Sequence, residues 1–207
     1  MSGAGSPVDR PSALLSSLAR TIAPVLALAV ALTVAAPSRA AEVGGVSLPD
    51  SATVGGERLP LRGAGIRKKL FLKLYVAALY AGESAGATGP AIAAADAPMM
   101  VRLVIVSDLV TRERMVEALN EGFAKSTGGN TAPVQAGIDQ ALAAMPDSLG
   151  AGERIDMAYV PGIGLVVVRD GATLATVEGI AFKEALFGIW LSDDPVQANL
   201  KRDMLGG

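Results

Sequence analysis

The chain of 207 residues contains no cysteine and no histidine. Without cysteine it has no disulfide, no thiol nucleophile and no soft metal ligand. Without histidine, serine–histidine hydrolysis, histidine general-base chemistry and the common zinc sites drop out together. Any chemistry must rest on Arg, Lys, Tyr, Asp, Glu or backbone groups, and no metal or cofactor is expected. Nor is there a basic cluster of the size that phosphate binding needs, so nucleic acid is not an expected partner.

The first forty residues are not globular in character. Arg10 and Arg20 precede an apolar to weakly polar run from Ile22 to Ala36, and Ser38-Arg39-Ala40 offers small residues where a signal peptidase reads. Fifteen residues fall short of the roughly 20 that a spanning helix requires. The expected organisation is therefore a secretory signal over 1–40 and one domain over 41–207, with no membrane span once the leader is removed. The whole chain holds 18 basic and 20 acidic residues; without Asp9, Arg10, Arg20 and Arg39 the balance is 15 to 19, mildly acidic.

Along the domain, Val46-Ser47-Leu48 and Arg58 to Leu61 read as short strands. Residues 81–98 form a surface connection with a short helix near Pro90 to Ala95, and Met99 to Val106 reads as a buried strand with Arg102 exposed. Thr111 to Ala124 is helical, its inward stripe Met115, Val116, Leu119 and Phe123, its wet side Arg112, Glu113, Arg114, Glu117 and Glu121. A second helix is expected from Ala132 to Met145, capped by Thr131. Arg154 to Val160, Leu165 to Arg169 and Ala172 to Val177 form a meander turned by Pro161 to Gly164 and by Asp170-Gly171. Two helices close the chain, one over Ala181 to Leu191 with Phe182, Leu186, Ile189 and Trp190 on one face, one opened by Asp194-Pro195. The order of strands and helices predicts an α+β layer, an antiparallel sheet with helices on one face.

The stretch from Gly63 to Ala81, GAGIRKKLFLKLYVAALYA, is the chemically odd one. Read as one strand opened by a Gly63-Ala64-Gly65 turn, it puts Ile66, Lys68, Leu70, Leu72, Leu74, Val76, Ala78 and Tyr80 on one face. The other face then carries Arg67, Lys69, Phe71, Lys73, Tyr75, Ala77 and Leu79. Arg67 and Tyr75 share a side and together offer a carboxylate or enolate several donors, with Phe71 as an apolar wall between them. Eight residues of extended strand separate the pair by about 26 Å, so they converge only if the segment bends. Otherwise they are solvated strand cations and a packed tyrosine.

That stretch, together with VRLVIVSDLVTRERMVEAL, the Val-Pro-Gly-Ile-Gly turn, the Asp-Gly hairpin and the closing AFKEALFGIWLSDDPVQANLKRDMLGG, resembles the chalcone isomerase-like family, in particular its exported bacterial branch. The resemblance implies an open-faced β-sandwich, a large antiparallel sheet covered by helices with a smaller sheet at its edge. In the ring-closing plant isomerases it implies a site of Arg, Thr, Tyr and Asn. Here Arg67 matches the Arg, Tyr75 stands at the Thr position, and the other two positions fall near Arg112 and Leu119, with Asn120 one residue away. In the plant fatty-acid-binding branch an Arg and a Tyr hold the carboxylate, and Arg67 and Tyr75 match that pair.

The resulting expectation is an exported, periplasmic, non-catalytic protein that takes a fatty acid or similar apolar carboxylate. Arg67, Tyr75 and Phe71 are its candidate ligand-binding residues, with Leu74 or Val76 and the Met115 to Phe123 stripe as walls. The alternatives are an isomerase using Arg67 and Tyr75 as its catalytic groups, and a partner-binding scaffold without a small ligand. The oligomeric state is not legible in the sequence.

Overall fold

A computed structural model describes residues 41–207; the expected secretory leader over 1–40 lies outside the described residues. The strands β1 (Ala41–Val43) and β2 (Val46–Leu48) form a small hairpin of their own. The main sheet uses β3 (Ser51–Val54), β4 (Glu57–Lys69), β5 (Leu72–Ala81), β6 (Met99–Ile105), β9 (Arg154–Val160), β10 (Gly164–Arg169) and β11 (Ala172–Val177). Between them lie α1 (Gly89–Ala94), β7 (Val110–Thr111), α2 (Arg112–Ser126), α3 (Gln135–Ala143) and β8 (Ser148–Leu149); α4 (Ile180–Leu191) and α5 (Ala198–Met204) follow. The seven main strands lie in the order β11-β10-β9-β6-β5-β4-β3, every neighbour antiparallel. This is the expected α+β architecture.

Two cores follow from the period-two alternation of β5 and β6. Ala77, Leu79, Val101 and Leu103 face the helices, whereas Val76, Ala78, Tyr80 and Met100 pack with Leu48, Val54 and Leu59 on the opposite face. The helical layer is centred on α4, which is buried nearly all round, from Phe182 through Leu191. A helix without a wet side belongs inside a layer. It is approached so closely by α2 that a Cβ at Gly122 would stand 2.8 Å from Ile189.

Lys183 is a charged residue of α4 that is fully buried. Its ammonium donates to the carbonyls of Ile92, Ala93 and Ala95 at 3.0, 2.7 and 2.6 Å, closing the C-terminus of α1. The rings of Tyr159 and Phe187 lie 5.1 and 5.9 Å away, so the charge is held by dipoles and π-faces. Burial pulls this lysine down to about 8, against the opposing influence of Glu184 and Asp96.

Several expectations need correction. Gly63-Ala64-Gly65 is no turn but the middle of β4, and its glycines serve close approach. A Cβ at Gly63 would sit 2.3 Å from the Asp203 carbonyl oxygen, and one at Gly65 would sit 2.8 Å from the Asp203 Cβ, so α5 lies directly on the strand. Arg102 is not solvated; on the face away from the helices its guanidinium grips Asp156 through two bonds of 2.7 and 2.9 Å. Arg112, expected on the wet side of α2, donates to the carbonyls of Met145 and Leu142 and pins the end of α3. Asp194-Pro195 does not open the last helix, which begins at Ala198.

Candidate functional site

The decisive departure from a single long strand is at Leu70-Phe71. There the chain reverses, pairing Lys69 with Leu72 and making Arg67 and Tyr75 direct partners across the β4–β5 hairpin. The 26 Å separation of the extended reading disappears, because cross-strand partners stand about 5 Å apart. A register shift between Arg67 and Lys68 puts an irregularity immediately beside the pair.

The same reversal removes Phe71 from the site. It sits at the hairpin tip with 99% of its surface exposed and touches no enclosed space. Val76 is no wall either, since it belongs to the opposite core, and Leu74 does not line the cavity. Of the α2 stripe, Met115 and Leu119 line the cavity, Phe123 is packed into the core, and Val116 faces an outer groove with Arg112 and Asn120.

The cavity has a volume of about 100 Å³ and lies between the helix-facing side of the sheet and α2, α3 and α4. Leu103, Ile155, Met157, Val167 and Leu174 form its floor, Leu186 and Ile189 one wall, and Met115, Leu119, Ala141 and Met145 the roof. Among the described residues only Arg67, Tyr75 and Trp190 bring nitrogen or oxygen side-chain atoms to it, and they are grouped, Tyr75 pairing with Arg67 across the hairpin and accepting from Trp190. An apolar enclosure with polar groups concentrated at one point is the general form of a small-ligand site.

Arg67 is placed by the segment before α5. One terminal guanidinium nitrogen donates to the Val196 carbonyl, the Gln197 side-chain oxygen and the Lys68 carbonyl, each at 3.2 Å. Gln197 is itself locked, its amide donating to the Ile66 carbonyl at 3.1 Å and its oxygen accepting from the Lys68 N–H at 2.9 Å. These acceptors are neutral, and among the described residues no carboxylate forms an ion pair with Arg67. The guanidinium is therefore oriented but not neutralised, beside an apolar space where an unpaired charge is unfavourable.

Tyr75 is placed by Trp190, whose indole N–H donates to the phenol oxygen at 3.1 Å. Burial raises the Tyr75 pKa above its ordinary value; the Trp190 hydrogen bond and the adjacent Arg67 charge pull the other way without reversing it. The phenol thus keeps its proton at neutral pH. With a lone pair already accepting, its O–H is left to donate. Arg67 and Tyr75 together form a donor-only end, suited to an oxyanion.

Trp190 and Gln197, which hold Tyr75 and Arg67 in place, are not singled out by sequence reasoning. The helical stripe through Trp190 signalled burial, but nothing in the pattern connected the indole to Tyr75. Gln197 stands at the N-cap of α5 and points its amide at β4.

Comparison with known proteins agrees with this architecture. The fold is shared with the crystal structure of an Arabidopsis thaliana fatty-acid binding protein at a TM-score of 0.62 and 20% sequence identity, over 78% of this chain and 92% of that one. No curated protein sequence matches. The profile of the family described as chalcone isomerase-like matches residues 40–206. With an antiparallel sheet, a helical layer on one face and a match over nearly all of the described residues, the chain belongs to the chalcone isomerase-like family.

Proposed function

We propose that this protein is a non-catalytic carrier of a fatty acid or a similar apolar carboxylate. The observation that carries the reading is the un-neutralised Arg67 guanidinium beside the Tyr75 hydroxyl, at the one polar end of an otherwise apolar cavity. A carboxylate there receives charge-assisted hydrogen bonds from both groups, while its hydrocarbon lies against Leu103, Met157, Leu186 and Ile189. The fatty-acid-binding Arabidopsis protein of the same fold adds support by analogy.

The cavity of about 100 Å³ is smaller than the roughly 300 to 1,000 Å³ usual for sites that enclose a drug-sized ligand. A long acyl chain therefore enters by parting the roof, along the seam of Met115, Leu119, Ala141 and Met145. Methionines and alanines suit such a seam, because Met is unbranched and re-packs at little cost.

In this reading the segment over 1–40 directs export, and the protein works in the periplasm as a single domain after cleavage. An isomerase at the same site is less well supported. Proton abstraction by Tyr75 needs a lowered pKa, and burial moves it the other way.

The test is native mass spectrometry of protein purified without added lipid, followed by titration with decanoate and palmitate. Bound fatty acid that is released by Arg67→Ala supports the reading. Empty protein, with no carboxylate affinity that depends on Arg67, overturns it, and turnover of a chalcone substrate lost in Tyr75→Phe establishes the isomerase instead.

A further inference from the structure

The hairpin that brings Arg67 and Tyr75 together has a tip whose apolar side chains are left in solvent. Leu70 and Phe71 are 89% and 99% exposed, and the next residue, Leu72, is 46% exposed. Solvent contact for two whole apolar side chains at a turn is an unusual expense where Asn-Gly would serve. Leu70 also adopts φ 57°, a left-handed conformation that a bulky residue rarely takes.

The charges around the tip are as uneconomical as its apolar residues. Lys68 and Lys73 are direct register partners across the hairpin, a like-charge pairing that destabilises an isolated ribbon, and Lys69 stands beside them. All three are exposed, and among the described residues none forms an ion pair. Three acidic groups at this end of the sheet are engaged elsewhere: Asp108 accepts from the Ala151 N–H, Asp170 from the Arg154 N–H, and Glu153 is paired with Arg169. Leu109, 48% exposed, belongs to the loop after β6, at the same end because the Val106 N–H donates to the Leu74 carbonyl.

We propose that the Lys68–Lys73 hairpin tip is a membrane-docking finger that seats the protein on an anionic phospholipid surface. Leu70 and Phe71 enter the boundary between headgroups and acyl chains, and Lys68, Lys69 and Lys73 meet the lipid phosphates around them. A bilayer supplies both things the tip lacks, an apolar medium for its point and a dense layer of negative charge for its collar. The two unfavourable features of the free hairpin, exposed hydrocarbon and opposed ammonium groups, are both relieved in one contact. A protein partner with a single apolar pocket does not require three cations arranged around its entrance. The finger stands on its own geometry and does not depend on what the cavity holds.

The experiment places a reporter at the tip of the full chain with Phe71→Trp and follows its fluorescence against the parent protein, in which Trp190 supplies the background. Vesicles of phosphatidylglycerol with phosphatidylcholine are expected to shift the reporter to the blue, and brominated acyl chains to quench it. Exchanging Lys68, Lys69 and Lys73 for Gln is expected to weaken vesicle binding at the tip on the order of 100-fold, from about fivefold per lysine. Because the signal comes from position 71, insertion of any other segment of the chain does not mimic it. A reporter that stays solvent-like on anionic vesicles overturns the proposal. So does an equal shift on phosphatidylcholine alone, or one that survives removal of the three lysines. Thermal melting of each variant confirms that these exposed substitutions leave the fold in place.

Discussion

Trp190 and Tyr75 lie 115 positions apart in the sequence, and the indole N–H of one donates to the phenol oxygen of the other at 3.1 Å. This single bond joins the central helix to the strand that carries half of the polar end of the cavity. It fixes which way the Tyr75 hydrogen points. Trp190→Phe removes the donor together with part of the buried indole. It is expected to cost about 1–3 kcal/mol in stability, from the lost bond and the space left behind, and to weaken decanoate binding about fivefold at unchanged Arg67. Isothermal titration and urea unfolding of the same preparation separate the two effects.

Arg67 governs the head group and not the chain. Arg67→Ala is expected to lose about 10- to 100-fold in affinity for decanoate, the worth of a charge-assisted bond. It should barely change affinity for decanol. Arg67→Lys restores charge without the fork and lands between the two. Equal losses for acid and alcohol would show instead that the substitution collapses the cavity.

Gly63→Ala tests the seating of α5. Its Cβ would meet the Asp203 carbonyl at 2.3 Å and the Gly206 nitrogen at 2.6 Å, backbone atoms that cannot rotate away. A loss of about 1–3 kcal/mol is expected. Since α5 follows the Val196-Gln197 segment that anchors Arg67, ligand affinity should fall with it. Chemical denaturation and decanoate titration report on each.

Lys183 gives the stability of the protein an unusual alkaline dependence. Its ammonium, held at about 8 when folded, returns to the ordinary range near 10.5 when unfolded. Between those values the unfolded chain binds more protons, so folded stability rises with pH, by roughly 2 kcal/mol up to pH 10. Tyr159 acts in the opposite sense above that: raised to about 12 by burial and the Asp96 contact, it keeps its proton when folded while the unfolded phenol ionises near 10. Stability therefore climbs from pH 8 and turns down above 10. Lys183→Met removes the climb and leaves the decline, as urea midpoints across this range should show.

The meander was legible because Asp170-Gly171 is a turn signal with a mechanism, both residues taking positive φ at 47° and 91°. α2 was legible from its apolar periodicity and β6 from its apolar run. The β4–β5 hairpin was not, since Leu70-Phe71 carries no glycine, proline, asparagine or aspartate, and the alternation runs through it without a break. Gly63 and Gly65 misled for the complementary reason. They resembled turn residues, while their use is to let a helix 140 positions downstream touch the strand.

By itself the sequence determined the two periods from which strands and helices form, the absence of thiol and imidazole chemistry, and the presence of an arginine and a tyrosine worth pairing. Those are local properties, set by side-chain type and spacing. Only the tertiary structure decided that Arg67 and Tyr75 are neighbours, that Trp190 and Gln197 hold them, and that Phe71 points at solvent. A chain reversal without turn residues is selected by what the two strands gain against their neighbours: β5 against β6 on one side, β4 under α5 on the other. That gain belongs to contacts between distant segments, and no window of the sequence contains it.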